Sequence, residues 1–290
     1  MKCDLHIHTC ASFDATESVD TILDLAQKKG IQLLSVSDHN EIEGSLEMME
    51  KAPQRGIEAI SGIEIDCFFH NNVIHLLGYG CDLRNPDFER LKQHYLHELK
   101  RIGKERLQKI NEHYGFELDE QLIIEKAQGR PYTNVQITQV MLQTQKHPDL
   151  EIYQTGNKSR NPIAHFYWDN LAYGQWGYTE MVLPDFTEVI DFVHRTHGVL
   201  IVAHPVQTIG LDHTACDELV QAGADGFEVY SSYHDENARK FYREYCEKND
   251  LIQTFGSDFH GEVKPNIDLG QTGYNGDCSE QIIKLKKRRV

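Results

Sequence analysis

The sequence predicts an α/β fold, a parallel sheet or barrel of strands alternating with helices and interrupted by a helical insertion. Three observations carry this. Short apolar runs of strand length alternate with helically spaced segments, from residue 2 to about 83 and again from 184 to 260. Ionisable residues gather at the ends of those runs, where barrel enzymes carry their ligands. Between the two halves, residues 84–183 lose the alternation and read as helices.

Residues 2–14, KCDLHIHTCASFD, give the first strand and the turn after it. His6 and His8 stand two apart, so on a strand both imidazoles face the same way. Residues 19–29 have helical spacing and stop at Gly30. IQLLSVSDHN is a buried strand with a polar tip of Ser37, Asp38, His39 and Asn40. A helix over 43–55 leads to GIEAISGIEIDCFF, one strand with Glu64 near its end, and then to 73–80, a strand carrying His75. The insertion follows, with helices predicted over 86–113, 119–128 and 134–145 and an aromatic loop over 157–178. The alternation returns with a helix over 184–197 and the strand VLIVAHP, ending at His204. Helix 212–222 leads to ADGFEVY, and helix 235–248 to LIQTFGSDFH, closed by Asp258 and His260. The tail 278–290 reads as a helix whose basic end suits the helix dipole.

A length of 290 residues allows one large domain or two. The formal net charge of −16 argues against a broad basic face for duplex DNA. It leaves small anionic substrates open, because bound cations reverse the local sign. Seven cysteines are scattered without a C-x-x-C, which suits reduced thiols in a cytoplasmic protein. No signal-like apolar segment and no membrane-length run are present, so a soluble cytoplasmic chain is expected.

The candidate ligands are His6, His8, Asp14, His39, Glu64, His75, His204, Asp258 and His260. Carboxylates crowded on one rim would repel one another and lose hydration, a difficulty that cations remove. Mixed imidazole and carboxylate donors suit Zn, Mn or Fe, and nine exceed what one ion needs. Two or three divalent transition metals are expected.

The motifs resemble the PHP (polymerase and histidinol phosphatase) superfamily. They are D-L-H-I-H-T-x-x-S-x-D from Asp4 to Asp14, S-D-H-N at 37–40, G-I-E at 62–64, H-L-L-G-Y at 75–79, A-H-P at 203–205 and G-S-D-F-H at 256–260. The resemblance implies a distorted (β/α)7 barrel, TIM-like, over 1–83 and 184–290, with 84–183 as a lid. It implies a trinuclear site. His6, His8, Glu64 and Asp258 would hold one metal; His75 and His204 would share Glu64 on a second; Asp14, His39 and His260 would take a third. H-L-L-G-Y, the insertion with G-R-P at 129–131 and S-D-F-H look like stand-alone phosphoesterases. These include nucleotide and nucleoside bisphosphate phosphatases and exoribonucleases acting from the 5′ end. The aromatic run 165–178 departs from the shorter glycine-rich segment expected there.

The expected reaction is attack of a metal-activated water on a phosphate ester of a nucleotide or short single-stranded RNA, with Glu64 and Asp258 as catalytic carboxylates. Arg130 could add a bidentate phosphate contact, or be a surface arginine. Ser12 could donate to a phosphate oxygen, or simply serve its turn. His234 could face the site. The aromatics of 166–178 could stack on a base, or form a lid core. Histidinol phosphatase, an amidohydrolase and a non-catalytic module supporting a polymerase are the alternatives. The helical insertion argues against the first and the filled ligand positions against the last. No strand-end lysine suggests the carbamylated bridge of an amidohydrolase.

Overall fold

The computed structural model describes residues 1–70 and 72–288. The chain divides into two compact units, 1–91 with 183–290 and 92–182, the division falling within one long helix.

The first unit is α/β. Its elements are β1 (Cys3–Ile7), α1 (Val19–Lys29), β2 (Leu33–Val36), α2 (Glu43–Lys51), β3 (Glu58–Ala59), β4 (Gly62–Phe69) and β5 (Asn72–Tyr79). α3 (Pro86–Tyr114) begins here and continues into the second unit, which adds α4 (Glu120–Ala127), α5 (Asn134–Thr144), α6 (Glu151–Gln154) and α7 (Pro162–Phe166). The first unit resumes with α8 (Phe186–Arg195), β6 (Val199–Val202), α9 (His213–Ala222), β7 (Gly226–Ser231), α10 (Glu236–Lys248), β8 (Ile252–Gly256) and α11 (Ser279–Arg288).

The strands form two sheets, β1-β2-β3 and β4-β5-β6-β7-β8. Pairing is parallel within the first sheet and from β6 to β8, but β4–β5 and β5–β6 are antiparallel. This corrects the expectation of an all-parallel sheet. Phe69 and Asn72 are too close in sequence for a crossover helix, so β5 must return beside β4. The run 56–69, expected as one strand, divides at Ile60–Ser61: β3 pairs with β2 and β4 pairs with β5. The sheets do not close by continuous pairing. Single bridges, Ile7 with Phe259 and His39 with Glu64, link them at the ends where the candidate ligands lie.

Local signals explain the helices. Ser18 caps α1 and Gly30 ends it at φ 65°. Asp185 and Glu188 form a capping box on α8. The apolar faces pack into a core with Leu5, Ile63, Leu76, Ile201 and Phe227 fully buried. β1, α1 and β2 carry a second cluster, including Ile7, Ile22, Leu34 and Val36.

The second unit has its own core of Leu107, Ile110, Ile123, Ile137, Met141, Leu150, Phe166 and Leu171. Its aromatic segment is not the loop expected. Pro162 opens α7, where its missing N–H costs nothing, and a π-helical turn follows at Tyr167–Leu171. Phe166 and Leu171 are fully buried there, whereas Trp168 and Tyr173 are exposed. No described helix is long and apolar enough to cross a membrane. The seven cysteines are free thiols, Cys10 alone among them exposed.

Candidate metal centre

Eight of the nine expected ligands come together in the first unit as three overlapping groups: His6, His8, Glu64 and Asp258; His8, Asp14, His39 and His260; and His39, Glu64 and His75. His204 is in none of these groups, yet its Nε2 lies 3.1 Å from Glu64 Oε1.

Glu64 is the hub. It is fully buried. Its Oε2 lies 3.1 Å from His6 Nε2, 3.1 Å from His8 Nε2 and 3.3 Å from His39 Nε2. Its Oε1 lies 3.0 Å from His75 Nδ1 and 3.1 Å from His204 Nε2. Asp258 Oδ1 lies 3.3 Å from His6 Nε2 and 3.1 Å from His8 Nε2. Asp14 Oδ2 lies 3.2 Å from His260 Nε2 and 3.7 Å from His39 Nε2.

The backbone brings these groups together. Asp258 N–H donates to His6 O at 2.9 Å, and His8 N–H to Phe259 O at 2.9 Å, joining the end of β1 to the segment after β8. Asp4 fixes the same junction, accepting from Ser257 N and Oγ and from Gly270 N. Asp38 accepts from Thr9 N and Oγ1, which holds the turn after His8. Burial pushes Asp38 up to about 7 despite His8 and those bonds. His204 and Asp258 occupy positive φ, 25° and 59°, a conformation that costs of order 1–3 kcal/mol and concentrates at functional sites.

Second partners orient three of the imidazoles. His6 Nδ1 meets Glu228 Oε1 at 3.0 Å, His39 Nδ1 meets Asp66 Oδ1 at 2.8 Å, and His260 Nδ1 meets Asp258 O at 2.9 Å. If each Nδ1–H donates, each Nε2 keeps its lone pair, and all three Nε2 atoms face the cluster carboxylates. That is the pattern in which a carboxylate or carbonyl orients a metal-binding histidine. Gly256 makes the His6–Glu228 approach possible, because a Cβ there would collide with both side chains.

The electrostatics are mutual. Burial alone would raise Glu64, but His39, His6 and His75 hold it well below the usual carboxylate range. Burial would likewise raise Asp258, which His6 and His8 hold far down. Burial would lower His6 and His39, but the facing carboxylates lift both well above the ordinary imidazole value. Burial and neighbouring His8 push His260 down to about 4.

The donor set fits divalent metals. His8 is fully buried, and neither of its ring nitrogens has a hydrogen-bond partner, although Nε2 sits 3.1 Å from two carboxylate oxygens. His204 Nδ1 is also buried without a partner. Two ligands about 2.1 Å from one ion at a right angle stand about 3.0 Å apart, close to these nitrogen–oxygen separations.

Of the three expected substrate contacts, Ser12 lies at the cluster, its Oγ accepting from His39 N at 3.4 Å. Ser12 Oγ donates to Asp14 Oδ1 at 2.7 Å, so its proton is already engaged. His234 is buried. Its ring is 2 % exposed, with Nδ1 bonded to Val229 O at 2.8 Å and Nε2 accepting from Val206 N at 3.5 Å. Arg130 belongs to the second unit, in the turn after α4, where its N–H donates to Ala127 O.

Sequence reasoning passed over Asp66, Glu228, Tyr233 and Lys264. Asp66 lies two residues beyond Glu64 on the same strand and so shares its face. Glu228 is a lone charge inside the apolar run of β7, which was signal enough. Tyr233 Oη and Lys264 Nζ each donate to Asp258 Oδ2 at 2.6 Å. Only tertiary folding brings them there.

The chain is 27% identical to a 5′-3′ exoribonuclease of Haemophilus influenzae, covering 92% of this chain and 95% of that one. It is 24% identical to a 3′,5′-nucleoside bisphosphate phosphatase of Chromobacterium violaceum, covering 93% and 90%. In fold it is similar to a Bifidobacterium adolescentis protein described as a metal-dependent phosphoesterase, with a TM-score of 0.78, 22% identity and coverage of 99% and 96%. A model of the PHP domain matches residues 4–283, and the chain therefore belongs to the PHP family.

Proposed function

We propose that this chain is a metal-dependent phosphoesterase acting on phosphate esters of nucleotides or short single-stranded oligonucleotides. The observation that carries the reading is Glu64, a fully buried carboxylate with both oxygens faced by imidazole nitrogens. A hydrolase that works with paired metals needs such a hub to keep two cations close together. The names of the relatives support a phosphorylated, nucleotide-like substrate. The single bridges between the two sheets support describing the strands as a distorted (β/α)7 barrel.

In this reading His6, His8, Glu64 and Asp258 would hold one ion, and Glu64, His75 and His204 a second. Asp14, His39 and His260 would hold a third. When bound, such ions would neutralise phosphate oxygens and make a water acidic enough to attack phosphorus. The side chains do the rest. Glu228 and Asp66 fix the tautomers of His6 and His39. Tyr233 and Lys264 occupy Asp258 Oδ2, which leaves Oδ1 toward His6 and His8. The His75 side chain, 27% exposed, stands at the open side of the cluster. Arg130 would bind a substrate phosphate from the helical insertion, residues 84–183.

The test is a hydrolysis panel on manganese-loaded protein, with AMP, nucleoside bisphosphates, short 5′-phosphorylated RNA and histidinol phosphate. Turnover should favour a nucleotide or RNA. Preference for histidinol phosphate, or no phosphate or nucleotide release from any of them by fully loaded protein, would overturn the reading.

A further inference from the structure

The second unit buries one cation without an ion-pair partner. Arg106, on α3, is 8% exposed. Its Nη1 donates to Asn134 Oδ1 at 3.4 Å, near the long limit of a hydrogen bond, and its Nε has no partner. No carboxylate among the described residues pairs with it. Its helix neighbours are different. Arg101 pairs with Glu98 and Glu105, and Lys109 also pairs with Glu105. The adjacent Glu105 thus spends its oxygens on other partners. A guanidinium presents five N–H donors and does not give up its charge in proteins. Burying one uncompensated is costly. Burial pulls Arg106 below the ordinary arginine value, and Tyr167, Tyr178 and the more distant charge of Glu105 do not make up for it.

Its surroundings suit a ligand. The guanidinium carbon lies 5.9 Å from the centroid of the Tyr167 ring. Tyr167 begins the π-helical turn Tyr167–Leu171, a rare feature that is frequent at functional sites. On α5, Thr138 stands one turn beyond Asn134 on the same helix face. It is fully buried, and its hydroxyl has no partner. Unfilled donors therefore accompany a fixed positive charge and an aromatic ring.

We propose that Arg106, with Asn134 and Tyr167, forms an anion site within the second unit that takes a phosphate group. The guanidinium fork matches two phosphate oxygens, and the ring beside it offers a face to an attached base. The choice of phosphate over carboxylate rests on the phosphoesterase reading; the need for an anion does not.

The experiment is thermal unfolding of the full chain, stripped of metal by chelator and dialysed. It is run in chloride buffer of fixed ionic strength, with and without inorganic phosphate. Phosphate should raise the wild-type midpoint by roughly 2–5 °C at saturation. Arg106→Met should lose that response. Without phosphate it should melt no lower than wild type, because an uncompensated buried charge has been removed. Tyr167→Leu should keep the response in weakened form. An equal phosphate response in Arg106→Met would overturn the proposal. So would an unresponsive wild type, or an Arg106→Met chain that melts far lower or fails to fold, since the cation would then be structural. A chain inert on the hydrolysis panel but stabilised through Arg106 would lose the phosphoesterase reading and keep the anion site.

Discussion

The strand-end cluster and Arg106 both bury charge, in opposite ways. Around Glu64 every carboxylate faces imidazoles, and the imidazoles of His6 and His39 have a second carboxylate behind them. Arg106 has one long bond to a neutral amide. The cluster is organised so that cations can replace protons among groups already held in position. The arginine is organised around a charge the protein itself does not supply. The difference separates two uses of buried charge: one holds metal, the other waits for an anion.

The largest expected effect comes from removing the hub. Glu64→Gln keeps the volume of the side chain and deletes its charge. Turnover should fall by roughly a hundredfold or more, and bound metal should fall with it. Thermal stability should change much less when metal is resupplied, because the apolar core is untouched. Near-normal turnover with two ions still bound would mean that another residue joins them.

A smaller loss should follow Glu228→Gln, which touches only the partner behind His6. The new amide can donate to Nδ1 and so reverse the His6 tautomer. Manganese affinity measured by calorimetry should weaken by about tenfold to a hundredfold. Unchanged affinity would show that the Glu228 carboxylate does not orient His6.

The two units also differ in how far the sequence disclosed them. His6 and His8 were legible because the strand period is two, and Asp258 and His260 repeat that spacing. Helix limits were legible where caps mark them, as at Ser18 and Gly30 of α1. The antiparallel β4–β5–β6 segment was not, because apolar alternation carries no strand direction. Tyr233 was missed although its neighbour His234 was singled out, since composition suggests a ligand and only folding decides which residue faces the carboxylate. In the second unit, periodicity disclosed α3 to α5. That Arg106 Nε is left without a partner depends on long-range packing that no motif encodes.

A kinetic effect confined to substrate should come from Arg130→Ala. KM for nucleotide phosphates should rise several-fold to about tenfold with metal content unchanged. Unaltered kinetics across the panel would remove Arg130 from substrate binding.

The smallest effect should be a pH-dependent one away from the cluster. His194 Nε2 lies 3.0 Å from Asp225 Oδ2, and that contact raises the imidazole pKa although burial opposes it. A raised histidine value stabilises fully below its unfolded value, near 6.5, and stops doing so as pH climbs through the folded value. Asp225 is lowered, against burial, chiefly by His194, so its share persists until pH falls toward the carboxylate range. His194→Gln should therefore lower the melting midpoint by about 1 °C at pH 6 and by less at pH 9, a small figure because the histidine is partly exposed. An equal loss at both pH values would point to packing instead.

The central claim is that the strand-end cluster holds more than one ion, and metal counting tests it most directly. The full chain, purified without chelator or reconstituted with Mn, Fe or Zn and freed of excess metal, should carry two to three equivalents by elemental analysis, a number the overlapping ligand groups could hold. One equivalent or fewer after reconstitution with all three metals would contradict the account.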